Sequence, residues 1–570
     1  MSKINPKQAY AKEIIDHFEG VGEALTAEQT HTASIVNFRI LSDGSLEKRN
    51  GWRVHSTVPD DQILGVWQGS IKGEYLFIIV TRDEIYRVEN GILHVTSTVP
   101  YGLTERVSLF AYREHLYLID GISIRVWRSE TGRFEEAHGY VPLVGIGWHP
   151  RTMGKTNEPL NLLCNSVRVH YTNSSGETVY HLPLIASRID RVTVDGVETN
   201  NYVFNNPTNQ LVVNALGTSV EIAFSFHATS LHRTNLFQST LAFADFFGAK
   251  EKLLLSGSEK GQLVYAAREV SDTMMTASNG IYRDSDPLYF SESDILIVGD
   301  LSHPTTAFFR HRDRVLALSS LSLFSIELST VDDAAYVRPL HCEVGMLAHG
   351  QNVRAAGDPI LCNENGVFLL HAPPNDPDNL IAQHISERIP ELESEEFAKN
   401  AVIGFDPVHN EIWIRNAAAK NGTVWVYGLS TKKWYCFDGI LANGFCSIDG
   451  RLCFYTDDQL CVFEDTLTTD GGVPFVSTYE TSYLSLSEPE LSKRGLRVSV
   501  KAEHQGNQLS LWLESETRRR TIPLSAPVQD APTLFDRRAA MGRFHFLRVT
   551  IRDRGYSRSR IYRLGLYANL

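Results

Sequence analysis

The strongest constraint this chain places on its own fold is a recurring hairpin: an apolar strand, a short polar turn, then a second apolar strand. It reads YLFIIVTRDEIYRV from Tyr75, HLYLIDGISIRVW from His115, LLLSGSEKGQLVYAA from Leu253, RVLALSSLSLFSIEL from Arg314 and PILCNENGVFLLH from Pro359. EIWIRNAAAKNGTVWVY from Glu411 and RLCFYTDDQLCVF from Arg451 continue it, and IVNFRILSDGSLEKRNGWRV from Ile35 is a further candidate. The starts 35, 75 and 115 lie 40 residues apart, and those at 314, 359, 411 and 451 are separated by 45, 52 and 40. That period suits a propeller blade of four short strands, which cannot bury both of its faces alone and packs against its neighbours. A second echo supports it: VWRSETGRF from Val126 and VYGLSTKKW from Val426 share a strand, a polar turn and a returning aromatic. The expected fold is an all-β β-propeller of six to eight blades, seven favoured. A large sandwich assembly with coincidental spacing is the competing architecture.

The rhythm breaks between 115 and 253, where ETVYHLPL, IDRVTVDGVETNNYVF, NQLVVNA and SVEIAFSFHA form a pattern of their own. These read as an inserted β-sandwich, entered near Pro142 and left near His232, because loops between blades tolerate insertions. After Asp465 the period stops at TLTTDGGVP, and alternation resumes in LRVSVKAEH, LSLWLES, FHFLRVTIRD and IYRLGLYAN as a separate C-terminal β-sandwich. The division is therefore an N-terminal segment (1–30), the first part of the propeller (31–145), the insert (146–232), the second part of the propeller (233–470) and a basic C-terminal sandwich (471–570). Helical pattern is confined mainly to Gln8–Phe18 and the acidic Glu391–Lys399.

A hydrophobic share of 43% allows sizeable cores and excludes a disordered chain, a collagen-like fibre or a coiled coil. No window approaches the ~18 unbroken apolar residues of a membrane span, and the N-terminus has no secretory pattern, so the expectation is an unanchored chain made in a cytosol. The seven cysteines (164, 342, 362, 436, 446, 453, 461) form no CxxC and read as buried free thiols. Charge is uneven. Residues 491–570 carry 16 Lys and Arg against 6 Asp and Glu, a net of +10, which leaves residues 1–490 at −23. An acidic body with a basic end suggests docking on an acidic neighbour.

The GxGxxG, P-loop, HExxH and GxSxG signatures do not occur. His227 and His232 flank the end of the insert without further ligands at metal-binding spacing. A glycosidase would need facing acids, with Asp83, Asp120, Asp313 and Asp457 as candidates, but Asp in such turns ordinarily caps its own backbone. The Ser-x-Asp-x-Gly-x-Thr-Trp box of sialidase-like propellers is also missing. No enzyme activity, metal or cofactor is expected. The arginines Arg518, Arg519, Arg520, Arg537, Arg538, Arg552 and Arg554 are the candidate partner-binding residues, since a planar guanidinium suits carboxylates and phosphates alike. Arg548, Arg552 and Arg554 alternate with apolar residues and so share an outward sheet face. No zinc finger, helix-turn-helix or aromatic-arginine stacking motif accompanies them in the sequence.

Asn37-Phe38-Arg39-Ile40 followed by Ser42-Asp43-Gly44-Ser45-Leu46-Glu47-Lys48-Arg49-Asn50-Gly51-Trp52 resembles an "N-x-R, D-G-x-L-x-x-R-x-G" strand pair found in tailed-phage structural proteins. Tyr140-Val141-Pro142, Glu158-Pro159-Leu160-Asn161-Leu162-Leu163, Glu177–Pro183 and Val192–Val197 are similar to the same group. So are Leu255-Ser256-Gly257, Asp286-Pro287-Leu288-Tyr289-Phe290 and Val298-Gly299. Together these resemble the tail nozzle (tail tubular), tail-hub and packaged-DNA-stabilising proteins of short-tailed bacteriophages. The resemblance implies a propeller platform with inserted β domains, several copies of which form a hexameric ring below the portal and adaptor ring proteins. Such a ring extends the DNA channel, helps retain and then eject the genome, and offers sites for tail fibres or a tail tip. Packaged double-stranded DNA would pass through without sequence-specific binding, and the location implied is the virion tail, after assembly in the bacterial host cytoplasm. No catalytic residue comes with it. The competing functions are a glycan-binding or glycan-degrading propeller and a cytosolic interaction scaffold.

Overall fold

The computed structural model describes the chain except residues 1–9, 23–31, 60, 100–101, 104–105, 248, 258–260, 280–284, 330–334, 341–343, 352, 356, 374, 376–379, 388, 487–488 and 525–530. Cys342 therefore lies outside the described residues; the other six cysteines are free thiols. Strands make up 57% of the described residues and helices 5%, and the fold is all-β, of the β-propeller class. Among the described residues five four-stranded sheets recur, at 63–98, 108–136, 241–297, 305–339 and 354–384, and two further four-strand runs lie within larger sheets, 401–437 in a nine-stranded one and 444–464 with Gly51–Thr57 in a six-stranded one. Hairpin turns such as Asn90-Gly91 and Asp449-Gly450 hold both residues at positive φ, the backbone that a tight two-residue turn requires. The chain divides into two compact units, one formed by 1–63, 90–93 and 351–570, the other by 64–89 and 94–350.

In the second unit, period-two alternation decides which blade meets which. Leu116 and Leu118 of the strand His115–Ile119 bury against Leu76, Ile78 and Val80 of the preceding sheet. Tyr117 and Ile119, on the opposite parity, bury against Leu253, Leu255 and Tyr265 of the next. Leu254 and Val264 then pass the stack on to Phe308, Val315 and Ala317. The sheets at 108–136 and 241–297 thus each bury both faces between neighbours, which is why their strands read as short apolar runs.

His115 carries a charge consequence. Its Nδ1–H donates to the Arg113 carbonyl at 2.7 Å, and its Nε2 accepts from the Lys72 ammonium at 3.0 Å, so the ring is held neutral. Burial first, and the Lys72 charge second, push its pKa from 6.5 down to about 4. Between those values the unfolded chain takes up a proton that the folded chain refuses, so this contribution is complete above pH 6.5 and is lost on acidification towards pH 4. Discounted for the exposure of Lys72, it amounts to about 2 kcal/mol. Calorimetric melting of His115→Asn should show a shallower fall of Tm across that window than the parent chain; parallel curves would contradict the assignment.

The insert is a two-sheet sandwich. One sheet holds Leu143–Trp148, Ser166–Thr172, Ser219–Phe226, Ala186–Val194 and Val197–Glu198, the other Val179–His181, Gln210–Val213 and Tyr202–Asn205. Val167, Val169, Tyr171, Ile222 and Phe224 pack against Tyr180, Leu211 and Val213 to fill the space between them. Three sequence-distant segments meet at its root. The Asn161 amide donates to the carbonyls of Tyr140 and Leu288 and accepts from the amides of Leu163 and Phe290. Glu158 accepts from the Tyr140 hydroxyl and the Leu143 amide, and the Tyr289 hydroxyl reaches the Pro159 carbonyl at 2.8 Å.

In the first unit the terminal sandwich differs from the sequence expectation: it is not built from 471–570 alone. One sheet combines Tyr10–Ile15, Phe38–Ile40 and Leu46–Lys48 with Arg494–His504, Thr533–Ala539 and Ser559–Asn569. The other combines Thr32–Val36 with Val476–Thr481, Leu547–Arg554, Gln508–Ser515 and Arg519–Leu524, and it continues through Val36 and Cys436 into the sheet at 401–437. The hairpin at Ile35 is thus no blade, and its 40-residue spacing from Tyr75 is coincidence. Its Asn37 turns at φ 58°, and the chain changes sheets before Gly51–Thr57 pairs antiparallel with Gln459–Glu464. The helix expected over Gln8–Phe18 is, in its described part, the strand Tyr10–Ile15, paired residue by residue with 564–569. Buried Ala11 and Ile15 stand four apart, a spacing that fits either period, and the open sheet edge decides. The acidic helix is shorter than expected, Glu395–Lys399, capped by the Ser394 side chain.

Candidate functional site

Six of the seven nominated arginines fall on two different sheets. Arg552 and Arg554 lie on Leu547–Arg554, whose inward parity buries Leu547, Val549 and Ile551 and whose outward parity exposes both guanidinium groups. Arg519 and Arg520 lie on the neighbouring edge strand Arg519–Leu524, opposite Glu514 and Leu513, and Arg518 sits in the turn before it. Arg537 and Arg538 belong to Thr533–Ala539, at the edge of the other sheet, opposite Val498 and Arg497. The structure therefore brings Arg519, Arg552 and Arg554 to one outward face and leaves Arg537 and Arg538 outside it.

That face has a partner group the sequence search passed over. Trp512 stands on the outward parity of Gln508–Ser515, 43% exposed, and the Arg552 guanidinium lies 4.2 Å above its ring. Its signal was available: in LSLWLES it occupies the polar phase of an otherwise alternating strand. Nearby, Arg548 lies 4.3 Å over the Tyr483 ring and 3.4 Å from Glu480. Arg519 is neutralised by Glu514 at 2.5 Å. Among the described residues Arg552, Arg554 and Arg520 have no carboxylate partner within ion-pair distance. The result is a pleated, exposed surface with a fixed aromatic-guanidinium stack and uncompensated positive charge, composition typical of residues that dominate binding interfaces.

Three of the acids weighed for a glycosidase have local partners. Asp120 accepts from the amides of Ile122 and Ser123, which is the turn-capping role expected of it. Asp457 accepts from the Asn443 amide, and Asp83 lies 3.3 Å from Arg82. Among the described residues the one group of metal-ligating side chains is Asp406, His409 and Glu411; it does not include His227 or His232. Its geometry is that of a structural knot. Glu411 accepts from Arg39 through both oxygens, from the Tyr435 hydroxyl at 2.7 Å and from the Trp413 indole at 3.0 Å, which uses all four of its lone pairs. A cavity of about 260 Å³ beside the root of the insert is lined by Glu136, His138, Cys164, Ser166 and Arg233. Burial pushes the Cys164 thiol up to about 12, so it stays protonated and is no activated nucleophile. No helix of the described chain is long and apolar enough to cross a membrane.

No known family description matches the chain, and no curated protein matches it. Among solved structures, similarity extends to the computationally designed Ika8 protein (9% identity, 72% of this chain and all of that one, TM-score 0.32). It extends also to the AfRom2 CNH domain (7%, 73% and 99%, TM-score 0.35) and to the WD40 domain of SCAP from fission yeast (9%, 72% and 94%, TM-score 0.28).

Proposed function

We propose that this chain is a structural component of a phage virion tail, a ring-forming protein below the portal and adaptor that extends the DNA channel and helps retain and then release the genome. The observation that carries the reading is what the phage-like segment at 37–52 does in the fold. Each patterned residue has a structural task. Asn37 donates to the Val476 carbonyl and accepts from Arg49 and the Asp438 amide. Arg39 pairs with Glu411, Asp43 with Arg560, and Arg49 with Asp470. At Gly51 an added Cβ would sit 2.0 Å from the Thr469 carbonyl oxygen. The pattern thus specifies a clasp that ties a propeller sheet, its closing strand and the terminal sandwich together, so a chain bearing it needs this architecture. The Tyr140, Glu158–Asn161 and Asp286–Phe290 segments, also similar to that group, converge in the same way at the root of the insert.

Charge supports the reading as well. A body of net −23 repels a DNA duplex and keeps it mobile, whereas phosphate neutralisation would hold it. The basic sandwich face, with its Trp512–Arg552 stack, then serves contact between protein subunits. The test is the protein content of purified phage particles: presence at a fixed small copy number supports the role, and absence removes it.

A further inference from the structure

We infer that the outward face bearing Trp512, Arg552 and Arg554 docks onto the acidic Glu391–Glu396 knob of a second copy of this chain. The inference rests on the ring reading and supplies its contact. The knob is built on the connection that precedes the strand Ala401–Asp406: the turn Pro390–Leu392, then the helix Glu395–Lys399. Leu392, Phe397 and Ala398 are buried and anchor it, while Glu391, Glu393, Glu395 and Glu396 all point to solvent. Lys399 compensates only Glu395, at 2.5 Å; among the described residues Glu391, Glu393 and Glu396 have no cationic partner.

The two surfaces match in charge and in rigidity. Among the described residues three uncompensated carboxylates sit on an anchored turn and short helix, and two uncompensated guanidinium groups, Arg552 and Arg554, sit on the outward sheet face. Stacking on Trp512 fixes Arg552 in advance, so less side-chain freedom is lost when it meets a carboxylate. The exposed indole offers apolar area at the centre of the contact, where water exclusion strengthens the surrounding ion pairs. Both surfaces belong to one chain and differ from each other, which is what closed head-to-tail assembly demands: each copy presents the knob to one neighbour and the face to the other. An unrelated acidic partner would leave the knob itself without a role.

Sedimentation velocity of the purified full chain tests this at low and high salt. Self-association should be present at low salt and weaken as salt rises. Arg552→Glu with Arg554→Glu should weaken it by about tenfold or more, as should Glu391→Arg with Glu393→Arg and Glu396→Arg. The two variants mixed, or all five changes placed in one chain, should recover association to near the parent level, because each contact is complementary again. Melting curves check that the variants fold. If charge reversal lowers the melting point, Arg552→Gln with Arg554→Gln and, separately, Trp512→Ala replace it, and each should still weaken association. A parent chain monomeric up to its highest soluble concentration, association unchanged by reversal, or failure of the combined changes to restore it would each overturn the proposal. A monomeric chain found nonetheless in phage particles would overturn this contact and leave the tail reading standing.

Discussion

Glu411→Ala should destabilise the unit that contains it by about 3–5 kcal/mol, the cost of leaving a buried charge without its counterion. The Arg39 and Glu411 side chains are 4% and 1% exposed. Burial alone would lower the Arg39 pKa; the Glu411 charge and hydrogen bonds hold it raised. Arg39 Nη1 already lacks a hydrogen-bond partner, so nothing nearby can take over when the carboxylate is removed. The Tyr435 hydroxyl and the Trp413 indole lose their acceptor in the same step. Removing both charges together, as Arg39→Met with Glu411→Leu, should cost less than Glu411→Ala alone, because no uncompensated ion then remains. Trp413 touches Glu411 directly, so denaturant unfolding followed by tryptophan fluorescence reads the site. A loss below about 1 kcal/mol for the single change would contradict this account of the ion pair.

Arg49→Ala should have a comparable effect, about 3–5 kcal/mol, and a visible local consequence. Its side chain is fully buried. It reaches Asn37 Oδ1 at 2.8 Å, both Asp470 oxygens, and the backbone carbonyls of Asn50 and Asp438, and lies 3.8 Å over the Phe475 ring. One planar group thereby fastens the chain where it leaves the sandwich for the closing strand, the end of the sheet at 401–437 and the linker to the terminal strands. Its loss should speed amide hydrogen exchange in Gly51–Thr57 and in its partner Gln459–Glu464, because the closing strand loses its anchor. Arg49→Lys should rescue little, since a point charge cannot satisfy a fork of five donors. Exchange unchanged in those two strands, or full rescue by lysine, would contradict the clasp.

The blades were legible in the sequence because a sheet buried on both faces leaves a local signature, short apolar runs broken by turns. What was not legible depended on partners far along the chain. Tyr10–Ile15 has a helix-compatible spacing, and only the vacant edge beside 564–569 makes it a strand. The hairpin at Ile35 carries the alternation and spacing of a blade, yet Arg39 and Arg49 commit it to Glu411 and Asp470, more than 370 and 420 residues away. The arginine run was visible as charge. Its division between two sheets was not, because Arg537 and Arg538 differ from Arg552 and Arg554 only in which neighbour their strands select. Trp512 was within reach, since strand parity alone sets it facing outward.

The central claim, a ring component of a phage tail, is tested most directly by quantitative mass spectrometry of density-purified particles from the source culture, comparing this chain with the portal protein. The account predicts a fixed copy number of about six to twelve per particle, in keeping with the proposed hexameric ring and the closed symmetry of such assemblies. Absence of the chain from intact tailed particles would contradict it.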